Sequence, residues 1–158
     1  MKLYMTRAIF SLRGRFTIQD AAGNDRYHVE GKVLSIGRHL GVYCAQTGKR
    51  VAYIRQVLPT LMPRFAIEID GEHICYVAQK FQFLRNDYTI YGLPLELSGD
   101  FTAHEYEMLY KGQPVMRMSR KWFTFGDSYE LHIAKEKKEL VCVCIALAVG
   151  NAFAMRRR

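Results

Sequence analysis

Five basic side chains are the first residues whose types and spacing suggest chemistry. Lys32, Lys80 and Lys121 each precede a large apolar residue, Val33, Phe81 and Trp122. In a strand, that one-residue offset puts the cation and the apolar group on opposite faces, so the three ammonium groups are expected to project outward. Arg55 and Arg117 extend the set if local register permits. Such a cluster attracts anionic headgroups by about 1 kcal/mol per basic residue near a charged membrane surface. Lysines on a sheet also guard its edges and keep it soluble, so the same residues read equally well as a solvated surface.

Catalytic chemistry has less to work with. It needs a nucleophile with its base, carboxylates paired in a cleft, or a set of metal ligands. The chain contains no G-x-S-x-G, H-E-x-x-H or C-x-x-C, and the segment 41–49 has the wrong glycine spacing for a phosphate-binding loop. His28, His39, His73, His104 and His132 are isolated from one another. Asp100, His104 and Glu105 form the one polar cluster, and it reads as a loop. No catalytic residue, metal or cofactor is expected.

The elements that position these residues come from a repeat. A twelve-residue cassette opens on an apolar residue and closes on an aromatic or leucine six times: Met5 to Phe16, Val29 to Leu40, Ile54 to Phe65, Val77 to Tyr88, Leu95 to Tyr106 and Met118 to Tyr129. The fifth position is Ile9, Val33, Leu58, Phe81, Gly99 and Trp122; the eighth is Leu12, Ile36, Leu61, Leu84, Thr102 and Phe125. Only the fifth cassette is off pattern at both. A fixed internal length repeated six times marks a duplicated supersecondary unit.

After each closing residue the chain alternates. Phe16 and Ile18; Phe65, Ile67 and Ile69; Tyr106, Met108 and Tyr110; and Tyr129, Leu131 and Ile133 share one parity, while Glu68, Glu107, Glu130 and His132 take the other. Period two means strands buried on one face. Turn residues follow at 20–24, 46–49, Asp70-Gly71 and Lys111-Gly112, where glycine and Asn/Asp supply the positive φ of tight hairpins. Partner strands then begin over 27–33, 51–57, 73–83 and 115–123, and a first strand covers 3–5.

About twelve antiparallel strands must stack as two sheets or curl until their edges meet. About eight strands already enclose only enough room for their own side chains, so a wider ring leaves a lumen to fill. The filler is at the C-terminus, where 140–155 reads LVCVCIALAVGNAFAM without a charge. A helix apolar on every side needs apolar surroundings, which are protein or bilayer. Spanning a bilayer takes roughly 20 residues, and the continuous run here ends at Gly150. The plug is therefore the reading, with a short tail anchor flanked by Arg156, Arg157 and Arg158 as the alternative. Ala146, Ala148, Gly150 and Ala152 suit a narrow lumen lined by the large residues of the cassettes. Cys142 and Cys144, two apart, point to different sides of a helix and read as small hydrophobes.

A single domain over 1–158 is expected, with 139–155 as its central helix, and 158 residues suffice to bury a core. The cysteines at 44, 75, 142 and 144 lack the spacing of a disulfide framework, and Arg7 interrupts the apolar start, so a reduced, cytoplasmic protein is expected. The net charge of +8 favours acidic partners.

A barrel of repeated hairpins around an apolar C-terminal helix, with MKLYMTRAIFSLRGRFTI, DAAGNDRYHVEGKVLSIG, GDFTAHEYEM and SRKWFTFGDSYELHI along it, resembles bacterial members of the LURP-one-related family. That family is akin to tubby C-terminal domains and phospholipid scramblases. The resemblance implies a mainly β, closed antiparallel barrel of about 12 strands in six hairpin repeats enclosing the helix. It also implies membrane association, since tubby domains bind phosphoinositides through basic residues of the barrel wall. No tubby phosphoinositide motif aligns here, and the calcium-binding and cysteine-rich segments of scramblases are absent.

The function expected is thus a non-enzymatic binding or scaffold module, with anionic phospholipid as first partner and a cytoplasmic location peripheral to the membrane. A nucleic-acid-binding or transcription-linked role is the alternative, disfavoured because the aromatics fall in phase with the core. A purely structural domain is a third reading. The sequence does not specify the oligomeric state.

Overall fold

The structure, a computed structural model, describes residues 1–6, 14–34, 37–82, 85–123 and 126–156. Twelve strands follow in order: β1 (Lys2–Thr6), β2 (Gly14–Asp20), β3 (Asp25–Leu34), β4 (Gly37–Cys44), β5 (Arg50–Gln56), β6 (Arg64–Ile69), β7 (Glu72–Gln82), β8 (Arg85–Tyr91), β9 (Glu96–Asp100), β10 (Glu105–Tyr110), β11 (Gln113–Phe123) and β12 (Gly126–Ile133). A 3-10 turn (Glu136–Lys138) leads into the single long helix α1 (Glu139–Arg156).

All twelve strands form one antiparallel sheet in the order β8-β7-β6-β5-β4-β3-β2-β1-β12-β11-β10-β9. The sheet curls around α1. First and last strands meet, with Lys2 facing His132 and Thr6 facing Ser128. The expected closure holds everywhere but at one seam: β8 and β9, consecutive in the chain, share no ladder among the described residues. The barrel is therefore nearly closed.

The cassettes now have a geometric meaning. Antiparallel order puts the connections β1–β2, β3–β4, β5–β6, β7–β8, β9–β10 and β11–β12 at one rim, and each cassette carries one of them. The opening residue faces the residue thirteen positions on: Val29 with Val42, Ile54 with Ile67, Val77 with Ile90, Met118 with Leu131. The β1–β2 ladder, Leu3 with Asp20 and Tyr4 with Gln19, runs in the same phase. Only the fifth differs, because Leu97 and not Leu95 faces Met108. The register of that hairpin is offset by two residues, and four residues, 101–104, turn between the paired Asp100 and Glu105, which accounts for its irregular sequence. Gly99 there has φ 140° and faces Tyr106; a Cβ would sit 2.6 Å from Glu105 O and Tyr106 Cα. A side chain is excluded by both φ and space.

The opposite rim carries the tight turns, all at the positions their glycines and aspartates mark. Asp20 Oδ1 accepts the Ala22 and Asn24 amides at 2.9 Å, while Asp70 (φ 51°) and Lys111 (φ 49°) precede Gly71 and Gly112. Four of these hairpins, β2–β3, β4–β5, β6–β7 and β10–β11, have a register shift near the turn, which adds twist and helps the sheet curl.

Inward parity is apolar, as the alternation requires: Leu3, Met5, Ile18, Val29, Val42, Ile54, Ile67, Val77, Met108, Met118 and Leu131 are all buried. Residues 142–149 of α1 are buried on every side of the helix. By length and composition Glu136–Met155 could cross a membrane, but the helix is enclosed by the sheet, so the tail-anchor alternative gives way to the plug. Cys142 and Cys144 are fully buried free thiols. Burial pushes Cys142 up to about 12 and Cys75, on β7, up to about 11, as apolar packing does.

Both ends of α1 are tied to the β3–β4 hairpin. Glu139 accepts Arg26 Nη2 at 2.5 and 2.8 Å and the Tyr27 hydroxyl at 2.6 Å. At the other end Arg38, turned inward and 7% exposed, donates to Asn151 O at 3.0 Å. A carboxylate at the helix N-terminus and a guanidinium at its C-terminus both complement the helix dipole.

The expectation that large cassette residues line the lumen fails in the third cassette. Leu58 is 48% exposed and Leu61 103% exposed. Here the β5–β6 connection, residues 57–63, is longer than its neighbours and carries its tip away from the barrel. Ile9, Leu12, Ile36, Leu84 and Phe125 lie outside the described residues.

Candidate functional site

The lysines named from the sequence recur at one cassette position, and in a barrel this becomes one height. Lys32 lies two residues from the end of β3, Lys80 two from the end of β7 and Lys121 two from the end of β11. Arg55 is the penultimate residue of β5, and Arg64 opens β6. All five stand at the cassette rim. Lys32 and Lys80 are exposed, and Arg55, Arg64 and Lys121 half-buried.

Register groups four of them on one side. Lys32 faces His39, His39 faces Arg55, Arg55 faces Ala66, Ala66 faces Tyr76 and Tyr76 faces Tyr91, a continuous outer row from β3 to β8. Arg64 lies over Tyr76 at 4.3 Å and Tyr91 at 5.5 Å, and Lys80 over Tyr91 at 5.8 Å. Arg50 covers Tyr53 at 4.8 Å. The guanidiniums of Arg50 and Arg64 lie over rings, an arrangement that orders a cation while its charge stays available.

Lys121 stands apart on β11, facing Ser128, and Arg117 lies mid-wall on the same strand, bound to Glu107 at 2.7 Å. The structure thus brings Lys32, Arg55 and Lys80 together, adds Arg64 and His39, and separates Arg117 from the rim. Acid is present there too: Asp87 faces Lys80, and in the fifth hairpin Asp100 accepts the Ala103 amide at 3.1 Å while Glu105 accepts the Arg120 amide at 2.9 Å.

His39 is 8% exposed on this wall, its Nδ1 2.5 Å from the Tyr53 hydroxyl. Burial, and then the Arg55 charge, hold its pKa below the usual imidazole value. Its Nε2, like Arg64 Nε, is buried with no hydrogen-bond partner in the structure.

The aromatics do not all fall in phase with the core. Phe16, Phe65, Tyr106 and Tyr129 point inward, but Tyr53, Tyr76 and Tyr91 share the outer parity with Arg55 and Lys80. Tyr76, Ala78 and Lys80 alternate in the sequence, a signal that was there to find. Arg64 could be placed only through cross-strand register.

The catalytic candidates have structural employment. His104 (φ 58°) is buried with its ring 5.0 Å from Tyr129 and 4.8 Å from Phe153 of α1, and Asp100 caps its turn. His28 pairs with Thr17 at 3.2 Å and His73 stacks on Tyr76 at 4.4 Å. Among the described residues no three His, Cys, Asp or Glu side chains gather as metal ligands. A cavity of about 610 Å³ opens at the β8–β9 seam between Tyr88, Leu93, Leu95 and Leu97.

Comparison with known proteins agrees over nearly the whole chain. The uncharacterised protein YxjI of Bacillus subtilis is 34% identical over 149 residues, 94% of this chain and 91% of the relative. An X-ray structure of a protein from Arabidopsis thaliana superposes with a TM-score of 0.59 over 92% of this chain and 89% of that one; at 16% identity it speaks for the fold alone. The LURP-one-related family model matches residues 1–150. A nearly closed barrel around an apolar helix, matched over residues 1–150, thus belongs to the LURP-one-related family.

Proposed function

We propose that this chain is a binding domain for anionic phospholipid surfaces, cytoplasmic and peripheral to the membrane, which it meets with the cassette rim. The observation that carries the reading is the shared height of Lys32, Arg55, Arg64, Lys80 and Lys121, which lets five cations approach one plane together. At about 1 kcal/mol each near an acidic leaflet, they suffice for reversible recruitment. The opposite rim also carries cations, with Lys111, Lys135 and Lys138 around Tyr110 and Lys49 and Arg50 before β5, but it interleaves them with Asp20, Asp25, Asp70, Glu72 and Glu136.

Nucleic acid is served less well. Base stacking needs bare ring faces, and those of Tyr53 and Tyr76 are occupied by Arg50 and Arg64.

The test is flotation with phosphatidylcholine vesicles, with and without phosphatidylserine or a phosphoinositide. Binding to the anionic vesicles, weakened by salt and by Lys32→Glu with Lys80→Glu, is the expected result. Equal flotation with neutral vesicles, or none with any, would reject it, and a salt-sensitive oligonucleotide shift in its place would favour the alternative.

A further inference from the structure

We propose that the β5–β6 loop is a hydrophobic wedge, with Leu58 and Leu61 entering the interfacial layer of an anionic bilayer while Arg55 and Arg64 at its base meet the headgroups. The inference rests on the phospholipid reading above and gives it an orientation and an apolar component.

Single exposed leucines are ordinary on protein surfaces. Two on one loop, at the rim where the cations gather, are a different matter. Among the described residues the large hydrophobics classed as exposed are Leu58, Leu61 and Tyr91, so two of the three sit on this connection. Leu61 has essentially no neighbour of its own. The ladders of β3–β4, β7–β8 and β11–β12 run on to Leu34 with Gly37, Gln82 with Arg85 and Phe123 with Gly126, whereas that of β5–β6 stops at Gln56 with Phe65.

The loop is also built to hold its shape. Val57 N donates to Arg64 O at 2.8 Å and closes the base; Gln79 N donates to Pro63 O at 2.9 Å and ties the returning limb to β7; Thr60 Oγ1 donates to Val57 O at 3.3 Å. Pro59 and Pro63 restrict φ on both limbs. On the barrel side Leu58 lies against Gly37, where a Cβ would come within 3.0 Å of its Cδ1. A preorganised tip loses little conformational freedom on insertion, so more of the gain from burying apolar surface is retained.

Charge selects the occupant. Arg55 stands two residues before the loop and Arg64 follows it directly, with Lys32 and Lys80 further along the rim. Apolar side chains framed by cations match a layer whose surface is phosphate and whose interior is hydrocarbon. A second copy of the chain would bring the same cations against its own.

Two variants test this. Leu58→Ser with Leu61→Ser changes exposed side chains, and its melting transition should match that of the parent. Its partition into phosphatidylserine-containing vesicles should fall by about tenfold or more, the scale of two partly buried leucines, and the lost part should be the part that resists salt. An environment-sensitive fluorophore on Leu61→Cys, in a Cys44→Ser background, should shift to the blue on those vesicles and not on neutral ones.

Salt-sensitive vesicle binding with an unshifted probe and undiminished partition of the double variant would overturn the wedge and leave the phospholipid reading standing. Absence of binding by the parent chain would overturn both. A parent oligomer that the double variant dissolves, without change in vesicle binding, would assign the leucines to self-association and overturn the wedge as well.

Discussion

The hydroxyl of Tyr27 donates to the carboxylate of Glu139 at 2.6 Å, across 112 residues of chain. Arg26 holds the same carboxylate from the other side, and burial with the neighbouring negative charge pushes the Tyr27 phenol above its ordinary pKa. The start of the plug is thereby fixed to the start of β3.

Glu139→Gln is expected to lower unfolding free energy by about 1–3 kcal/mol, the range for a charge-assisted hydrogen-bond set. Urea denaturation measures it. In a double-mutant cycle with Tyr27→Phe the losses should not add; additive losses would mean that the two groups do not cooperate.

The plug itself should be indispensable. A chain ending at Glu139 lacks the residues that fill the lumen and is expected to give no cooperative melting transition by calorimetry. Ala148→Leu, which places a larger side chain in a filled interior, should cost about 1–3 kcal/mol. A cooperative transition in the truncated chain would show that the sheet fills its own interior.

Gly99→Ala tests the close approach of β10 to β9 in the fifth hairpin. With backbone atoms 2.6 Å from the new Cβ and φ at 140°, a loss of about 1–3 kcal/mol is expected. Gly48→Ala, with φ 72° and open space around it, should cost less. Equal losses would remove the steric argument and leave only the backbone conformation.

His39 should make stability fall on acidification. Its folded-state pKa lies below the unfolded value of about 6.5. Above that pH the ring is neutral in both states and contributes no dependence. As pH drops through 6.5 the unfolded chain takes up a proton that the folded wall resists, so stability declines until the folded ring protonates too. Urea midpoints between about pH 7 and pH 5 should decline less steeply in His39→Gln. Parallel slopes would point to another group.

Within the membrane proposal, Arg117→Glu is expected to leave vesicle partition nearly unchanged, since Arg117 sits mid-wall against Glu107, whereas Arg64→Glu should weaken it several-fold. The same flotation measurement separates the two, and an equal loss would mean that the whole wall, not its rim, meets the surface.

Much of this architecture was readable from local pattern. Phe65, Ile67 and Ile69 announce a strand by parity, Asp70-Gly71 announces its end, and the charge-free run after Leu140 announces the plug. These signals are local in the chain, and geometry enforces them locally. The rim of Lys32, Lys80 and Lys121 was legible because a repeat puts equal positions at equal heights.

What escaped depends on neighbours distant in sequence. Tyr76 and Tyr91 join Arg55 through three ladders, each of which must be in register, and the shift at Ile67/Glu68 resets the parity on which a reading from the turn would rely. Arg38 reads as surface because its inward turn has meaning only once Asn151 O is there to receive it. Leu58 and Leu61 match the cassette in letters, yet the length of their connection sends them outward.

The ladder between β1 and β12 has a temporal consequence. Residues 2–6 emerge from the ribosome more than a hundred residues before their partners at 128–132, and the helix that fills the interior follows those. The nascent chain can form hairpins one by one but cannot join β1 into the ring until β12 has been made. Such late, long-range pairing slows folding, so the apolar faces of the early hairpins stay within reach of chaperones throughout translation.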